Sequence, residues 1–421
     1  MDKLIIRGRA RLKGEVDISG SKNAVLPIMA AALLSEEESV IENVPNLWDV
    51  QTMVKLLRSL GEKAILESGV LKIKPGNHLK PFAPYKLVKT MRASVCVLGP
   101  LLARLGEAEV SLPGGCAIGP RPIDLHLKGL EALSAEIQID HGYVHAKVTS
   151  RLRGTDIYLG GGYGSSVLAT GNVMMAAVLA QGRTVIENAA CEPEVVDLAN
   201  FLKKMGAKIQ GEGSPRIEIE GVKKLRGVSY RVIPDRIEAG TYMFASAITQ
   251  GDVLIRKMEP GHLNAVIDKL QQAGVRIEKY KNAVRVKRIG KLRASDVTTL
   301  AYPAFPTDLQ AQAMALMTIT PGISIITEKI YPNRFMHVPE LGRMGAKIFL
   351  EGPSAIVHGV RKLSGAPVMA SDLRASAALV LAALVAEGET EVQRIYHLDR
   401  GYEDLEKKLT ALGATIRREK E

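Results

Sequence analysis

Met344-Gly345-Ala346-Lys347-Ile348 has five variants elsewhere in the chain: Leu60-Gly61-Glu62-Lys63-Ala64, Leu133-Ser134-Ala135-Glu136-Ile137, Met205-Gly206-Ala207-Lys208-Ile209, Ala273-Gly274-Val275-Arg276-Ile277 and Leu412-Gly413-Ala414-Thr415-Ile416. Counted from position 61, the intervals are 73, 72, 68, 71 and 68 residues, so six units of about 70 residues fill the 421-residue chain. Self-similarity at a fixed period marks one supersecondary unit used repeatedly. Ahead of each copy, apolar residues recur at three- and four-residue spacing, as in Leu56, Leu57 and Leu60 or Leu405, Leu409 and Leu412. That spacing predicts an amphipathic helix, ended by a glycine in the left-handed region and followed at once by a strand. The first copy lacks the Ile and the second lacks the Gly, so these two rest on register.

A second helix is expected in each unit, richer in Ala and apolar on nearly every face. Residues 23–34, 92–103, 167–180 and 375–386 are examples, each followed by a β-branched strand such as Ser39-Val40-Ile41 or Thr184-Val185-Ile186. A helix apolar all round belongs inside a domain. Each unit is therefore expected to set two helices, one buried and one at the surface, against a short sheet. Six units exceed what a single core supports, whereas three make a domain of about 210 residues. The expected fold is α/β, with two domains: 20–228, and 1–19 plus 229–421. Residues 221–227 are the expected hinge, and residues 4–18 a first strand that pairs with the second domain.

Composition narrows the function. With 46% apolar and 24% charged residues the chain is that of a globular protein, not a disordered or fibrous one. No apolar run approaches the roughly 18 residues of a membrane span, and the charged start, Met1-Asp2-Lys3-Leu4-Ile5-Ile6-Arg7, is unlike a secretory signal, so a cytoplasmic protein is expected. Cys96, Cys116 and Cys191 are far apart, without zinc spacing, so neither disulfides nor a structural metal is expected. The net charge of +11 calls for anionic partners, and an aromatic content of 4% leaves few platforms for stacking nucleic-acid bases. Small anions are the favoured ligands.

Polar residues stand at the starts of the apolar helices: Ser21-Lys22-Asn23, Arg92, Ser165-Ser166, Glu238, Asp308, and Asp372 with Arg374. Their spacings from position 22 are 70, 74, 72, 70 and 66, the period of the repeat. If three such helices per domain run alike, their N-termini converge, and free N–H groups with the helix dipole attract anions. Two such faces across a hinge would make a positive cleft. Ser and Asp at these places also read as caps, but Lys22, Arg92 and Arg374 are disfavoured beside a positive helix end, which argues for a ligand.

Cys116 lies in Pro113-Gly114-Gly115-Cys116-Ala117-Ile118-Gly119-Pro120-Arg121, a glycine- and proline-rich loop in which Arg121 would favour the thiolate. The residue reads as a reactive group or as an inert thiol; Cys96 and Cys191 read as inert. Asp308, after Phe305-Pro306-Thr307, reads as a helix cap or as a base for a substrate hydroxyl. Arg334 and Arg400 fall in expected loops, where each alone reads as a surface arginine. His126 and His337 read as structural. There is no G-x-x-x-x-G-K-[ST] phosphate loop and no H-E-x-x-H, and the glycine cluster at 160–164 lacks dinucleotide-fingerprint spacing.

The blocks Ile18-Ser19-Gly20-Ser21-Lys22-Asn23-Ala24, the Cys116 loop through His126, Phe305-Pro306-Thr307-Asp308, Asn333-Arg334-Phe335-Met336-His337-Val338-Pro339-Glu340, Asp372-Leu373-Arg374-Ala375-Ser376 and Arg394-Ile395-Tyr396-His397-Leu398-Asp399-Arg400-Gly401-Tyr402 resemble the enolpyruvyl transferase family, in its UDP-N-acetylglucosamine 1-carboxyvinyltransferase branch. The resemblance spans the chain. It implies a two-domain inside-out α/β barrel, three βαβαββ units per domain, in agreement with the repeat count. It implies enolpyruvyl transfer from phosphoenolpyruvate to the 3′-hydroxyl of UDP-N-acetylglucosamine by addition and elimination, the first committed step of peptidoglycan synthesis, with no cofactor and no metal.

By matching motif, Cys116 would protonate the C3 methylene and form a phospholactoyl adduct, and Asp308 would take the hydroxyl proton. Lys22, Arg121 and Arg400 would hold the phosphate, and Arg334 and Arg374 the carboxylate. Asn23 and Arg92 would position the substrates, while Arg121, Pro122, Ile123, Asp124 and Leu125, with Ser166, Val167 and Ile330, would line the UDP-sugar site. At 160–164 the chain departs from the family by a glycine-rich insert where a basic residue near the diphosphate is usual. The expected partners are these two small molecules, without nucleic acid or membrane, for a monomer or weak homo-oligomer. The alternatives are a transferase for another nucleotide acceptor, the shikimate-phosphate enzyme of the same fold, or, from another class, a basic repeat protein that binds RNA ends.

Overall fold

At all six repeat positions a helix ends and the chain turns directly into a strand. The backbone there must enter the left-handed region, which glycine reaches without a Cβ clash. Gly61, Gly206, Gly274, Gly345 and Gly413 do so with φ of 106, 110, 91, 88 and 101°, and Ser134, where the second copy has no glycine, is forced to the same place at φ 73°. The strands Lys63–Glu67, Glu136–Asp140, Lys208–Gln210, Arg276–Tyr280, Lys347–Glu351 and Thr415–Lys420 each begin two residues later.

The computed structural model describes residues 2–113, 123–162 and 164–420. Among these the strands form six four-stranded sheets of one order. In the fifth, Val297–Thr299 runs parallel to Ile323–Glu328, which pairs antiparallel with Ser354–His358, which pairs antiparallel with Lys347–Glu351. Six apolar helical segments lie inside: Lys22–Ala31, Leu98–Leu105 after the 3-10 turn Arg92–Val97, Val167–Ala177, Arg236–Ile248, Gln310–Thr318 after the 3-10 turn Thr307–Leu309, and Leu373–Ala383. Within each set of three these helices pack on one another, and Arg236–Ile248, Gln310–Thr318 and Leu373–Ala383 also pack on the sheets of their own repeats. Helices thus fill the middle of each set and sheets cover them, the inside-out arrangement.

Two compact units result, Gly20–Ile233, and Met1–Ser19 with Pro234–Glu421, each around its own hydrophobic core. Residues 4–18 are two strands rather than one. Asp2–Arg7 completes the sixth sheet between Glu389–Gln393 and Thr415–Lys420, and Lys13–Asp17 runs parallel to Asp252–Arg256 in the fourth. The boundary expected at 228/229 lies instead at 233/234, because Ser229–Arg231 pairs with Ser39–Glu42 of the first sheet. Nor are residues 221–227 a hinge. Their backbone is tied inside one unit by Gly221 N to Gly182 O (3.0 Å), Val222 N to Val178 O (2.9 Å) and Arg226 N to Met205 O (2.9 Å). No helix among the described residues is long and apolar enough to cross a membrane.

Candidate active site

In the unit that contains Pro234–Glu421, helix starts converge on a cluster of ions. The turn Thr307–Leu309 places Asp308 so that Oδ1 lies 2.9 Å from Arg334 Nη1 and Oδ2 lies 3.0 Å from Arg374 Nη2. The carboxylate keeps 26% of its side chain open, while both guanidiniums are buried. The protein packed around Asp308 opposes ionisation, but Arg374 and Arg334 outweigh it and hold the carboxyl well below the usual range. Arg374 stands at the start of its helix because Asp372 caps it, accepting from Arg374 N (2.8 Å) and Ala375 N (3.1 Å). The Tyr402 ring lies 5.5 Å from the Arg374 guanidinium, and the Tyr402 hydroxyl is held by Thr241 (2.8 Å) and Gln312 (3.2 Å) from two other inner helices.

Arg374 Nη1 is buried and, among the described residues, has no hydrogen-bond partner. Burial opposes the charge of this guanidinium, but the neighbouring Asp308 and Tyr402 hydroxyl favour it, which keeps Nη1 as a donor with room for a further acceptor. Two cations thus meet one carboxylate. Arg400 lies one residue before Gly401, at which a Cβ would meet the Leu373 side chain at 2.5 Å, so its segment is pressed against the helix that carries Arg374.

In the unit Gly20–Ile233 a second set of helix starts carries cations. Ser21 caps the first helix, accepting from Ala24 N at 3.3 Å, and Lys22 Nζ lies 3.1 Å from Asp49 Oδ2. Arg92 begins a 3-10 turn that packs against both Lys22–Ala31 and Val167–Ala177. The last of these is capped by Ser166 and carries Asn172, whose Oδ1 accepts from Gly99 N (2.7 Å) and whose Nδ2 donates to Val95 O (3.1 Å) and meets His126 Nδ1 (3.0 Å). Burial, with Arg92 nearby, pushes His126 down to about 3, so the ring is neutral and acts as a packing and hydrogen-bonding group. His337, pushed down to about 4 by burial, is likewise neutral.

Cys116, Arg121 and Pro122 lie outside the described residues. Ile123 is buried, Asp124 and Leu125 open the helix Asp124–Ala132, and Gly161 sits against Leu125, where a Cβ would meet Cδ1 at 3.2 Å. Gly161 and Gly164 of the insert exchange N–H···O bonds of 3.1 Å. Two expectations need correction. Arg334 is not a surface arginine but 6% exposed, held by Asp308 and by Thr307 Oγ1 at 2.9 Å. Glu238 does not start its helix; Asp235 caps it, accepting from Ile237 N (2.8 Å) and Glu238 N (2.9 Å). Glu238 is buried and takes bonds from Ser19 N (2.8 Å) and Lys408 Nζ (2.6 Å). Sequence reasoning missed Thr307, Glu328, Tyr402 and Asp235 as members of the cluster. Only Asp235 carried a signal, a carboxylate just ahead of an apolar helix.

A two-unit α/β protein of this repeat, with two buried arginines paired to one aspartate, belongs to a defined class. The model of the EPSP synthase (3-phosphoshikimate 1-carboxyvinyltransferase) family matches residues 6–409, and the chain belongs to that family. Among solved structures, the enolpyruvyl transferase NikO from Streptomyces tendae superposes with a TM-score of 0.88 over 99% of this chain and 98% of its own, at 26% identity. An EPSP synthase from Acinetobacter baumannii does so at 0.74 and 17% identity over 100% of both chains, a likeness of fold. The more similar relatives are narrower in name. The chain is 56% identical over 426 residues to the UDP-N-acetylglucosamine 1-carboxyvinyltransferase of Myxococcus xanthus, and 57% identical over 421 residues to that of Geotalea uraniireducens, each over 100% of both chains.

Proposed function

We propose that the chain transfers the enolpyruvyl group of phosphoenolpyruvate to the 3′-hydroxyl of UDP-N-acetylglucosamine, releasing phosphate, as the first committed step of peptidoglycan synthesis. The observation that carries the reading is the Arg334–Asp308–Arg374 cluster, in a chain with full-length relatives of that name. The donor carboxylate takes the place of Asp308 on the two guanidiniums and satisfies the buried Arg374 Nη1. Asp308, released from its clamp, becomes more basic and takes the proton of the sugar hydroxyl.

The sugar oxygen then bonds to C2 of phosphoenolpyruvate as C3 receives a proton from Cys116. In the second half C3 gives a proton back to the Cys116 thiolate, the C2–O bond to phosphate breaks with its electron pair leaving on the phosphate, and the C3–H pair forms the enol ether double bond. Lys22, Arg121 and Arg400 hold the phosphate as it leaves with its charge; a fixed cation stabilises that developing charge without reorganising at the moment of reaction. Asn23 and Arg92 position the substrates, and Pro122, Ile123, Asp124, Leu125, Ser166, Val167 and Ile330 line the acceptor site. The scheme uses no cofactor and no metal. It fits a cytoplasmic enzyme of cell-wall growth, a monomer or weak homo-oligomer without nucleic acid or membrane.

The test is phosphate release from phosphoenolpyruvate with and without UDP-N-acetylglucosamine, on wild type and Cys116→Ser. Release that needs the acceptor and is lost or strongly slowed in the variant supports both assignments. A second acceptor class is favoured by one feature, the glycine-rich insert, whose Gly161 lies against Leu125. Release supported by another nucleotide sugar, and not by UDP-N-acetylglucosamine, would move the reading there.

A further inference from the structure

We infer that Glu328 is a positioning residue for the donor-binding Arg334 and for Asp308, acting through the hydroxyl of Thr307; this rests on the enolpyruvyl-transfer reading above. Glu328 ends the strand Ile323–Glu328 and is fully buried. Its Oε1 accepts from Thr299 Oγ1 (2.6 Å), Ile330 N (2.8 Å) and Tyr331 N (2.9 Å), and its Oε2 accepts from Thr307 Oγ1 (2.8 Å). One carboxylate therefore fixes both the turn that carries Asp308 and the start of the loop that carries Arg334.

The polarity of the chain matters more than its presence. Thr307 has a single hydroxyl hydrogen, and Glu328 takes it. The oxygen's lone pairs are then left for Arg334 Nη1, which lies 2.9 Å away and also reaches Asp308 Oδ1 at 2.9 Å. Arg334 is thus held by two acceptors. When the donor carboxylate displaces Asp308, the Thr307 oxygen remains and keeps the guanidinium in register. Glutamine at 328 keeps the size but reverses the relay. The two peptide N–H groups demand the amide oxygen at the Oε1 position, so the NH₂ faces Thr307 and donates to it. The freed hydroxyl hydrogen then turns to Asp308, which ties up the base, or to Arg334, which it repels.

The experiment measures phosphoenolpyruvate affinity by titration calorimetry, and phosphate release in parallel, on the full chain as wild type, Glu328→Gln, Thr307→Val, Thr307→Ser and the Glu328→Gln/Thr307→Val double variant. Glu328→Gln and Thr307→Val are each expected to weaken phosphoenolpyruvate about tenfold, while KM for UDP-N-acetylglucosamine changes by less than about twofold. Thr307→Ser, which keeps the hydroxyl, is expected to stay near wild type, and the double variant to be no worse than Thr307→Val. The inference is overturned if the two single effects multiply in the double variant, if Glu328→Gln changes neither constant, or if it changes both equally. Should Glu328→Gln fail to fold, Thr307→Val against Thr307→Ser decides, equal affinities counting against the relay. A wild type that binds phosphoenolpyruvate and shows the coupling, yet releases no phosphate with UDP-N-acetylglucosamine, sinks the acceptor and leaves the relay standing. Turnover without coupling does the reverse, and absence of phosphoenolpyruvate binding removes both.

Discussion

Asp308 is the side chain on which the chemistry turns, and its ion pairs make it testable. Asp308→Asn is expected to lower kcat by about 10²–10⁴-fold, the usual worth of a positioned base, read as phosphate release. The same change leaves two buried guanidiniums without a counter-charge and is expected to cost about 3 kcal/mol in urea unfolding at neutral pH. The folded-state pKa of Asp308 is depressed, so its contribution is present above the unfolded value and lost as pH falls; the stability gap between wild type and the variant therefore narrows below about pH 4. Glu238 shows the opposite sign. Burial pushes it up to about 7 despite Lys408, so its stabilising proton is lost as pH rises from the unfolded carboxyl range. Lys408→Met raises it further, and the cost of that variant is expected to grow from pH 5 to pH 8 toward about 3 kcal/mol, measured by urea unfolding at the two pH values.

The helix-to-strand turn is the element that the sequence spelled out most directly. Its glycine pattern was legible because only one region of backbone conformation ends such a helix and turns the chain at once into a strand. The one exception gives a clean test. Ser134 holds φ 73° with a Cβ, and Ser134→Gly is expected to stabilise the protein by about 0.5–1 kcal/mol. Gly206 has φ 110° and open space where a Cβ would stand, so Gly206→Ala is expected to lose about 1 kcal/mol from backbone strain alone. Both are read as shifts in the urea midpoint at constant slope. The helix starts were legible as positions and, for Ser21, Ser166 and Asp372, as caps; Asp308, which lies inside a 3-10 turn whose N-cap is Pro306, is clamped by arginines from two other segments.

Across the whole chain the two units differ in how they are assembled. Gly20–Ile233 is continuous and holds three complete sheets, since Ser229–Arg231 supplies the last strand of the first. The other unit needs the chain start, which provides Asp2–Arg7 and Lys13–Asp17 to two of its sheets. A fragment of residues 20–233 is therefore expected to fold with a cooperative thermal transition. Residues 234–421 alone are expected not to, because Leu4, Ile6, Leu12, Val16 and Ile18 leave their core and two sheets lose a strand. Circular dichroism melts of the two fragments check this; a cooperative melt of 234–421 would contradict it.

The sequence by itself determined the repeat, its period, the apolar helices and the places where cations stand. These are local properties, set by side-chain periodicity and by the few residues that tolerate a left-handed turn. Tertiary structure alone decided that Arg334, from a loop that reads as surface, is buried against an aspartate 26 residues earlier in the chain. It alone decided that Glu328, the last residue of a strand, holds both segments together. Such pairings depend on which segments the shared core brings side by side, and no spacing along a single chain encodes them.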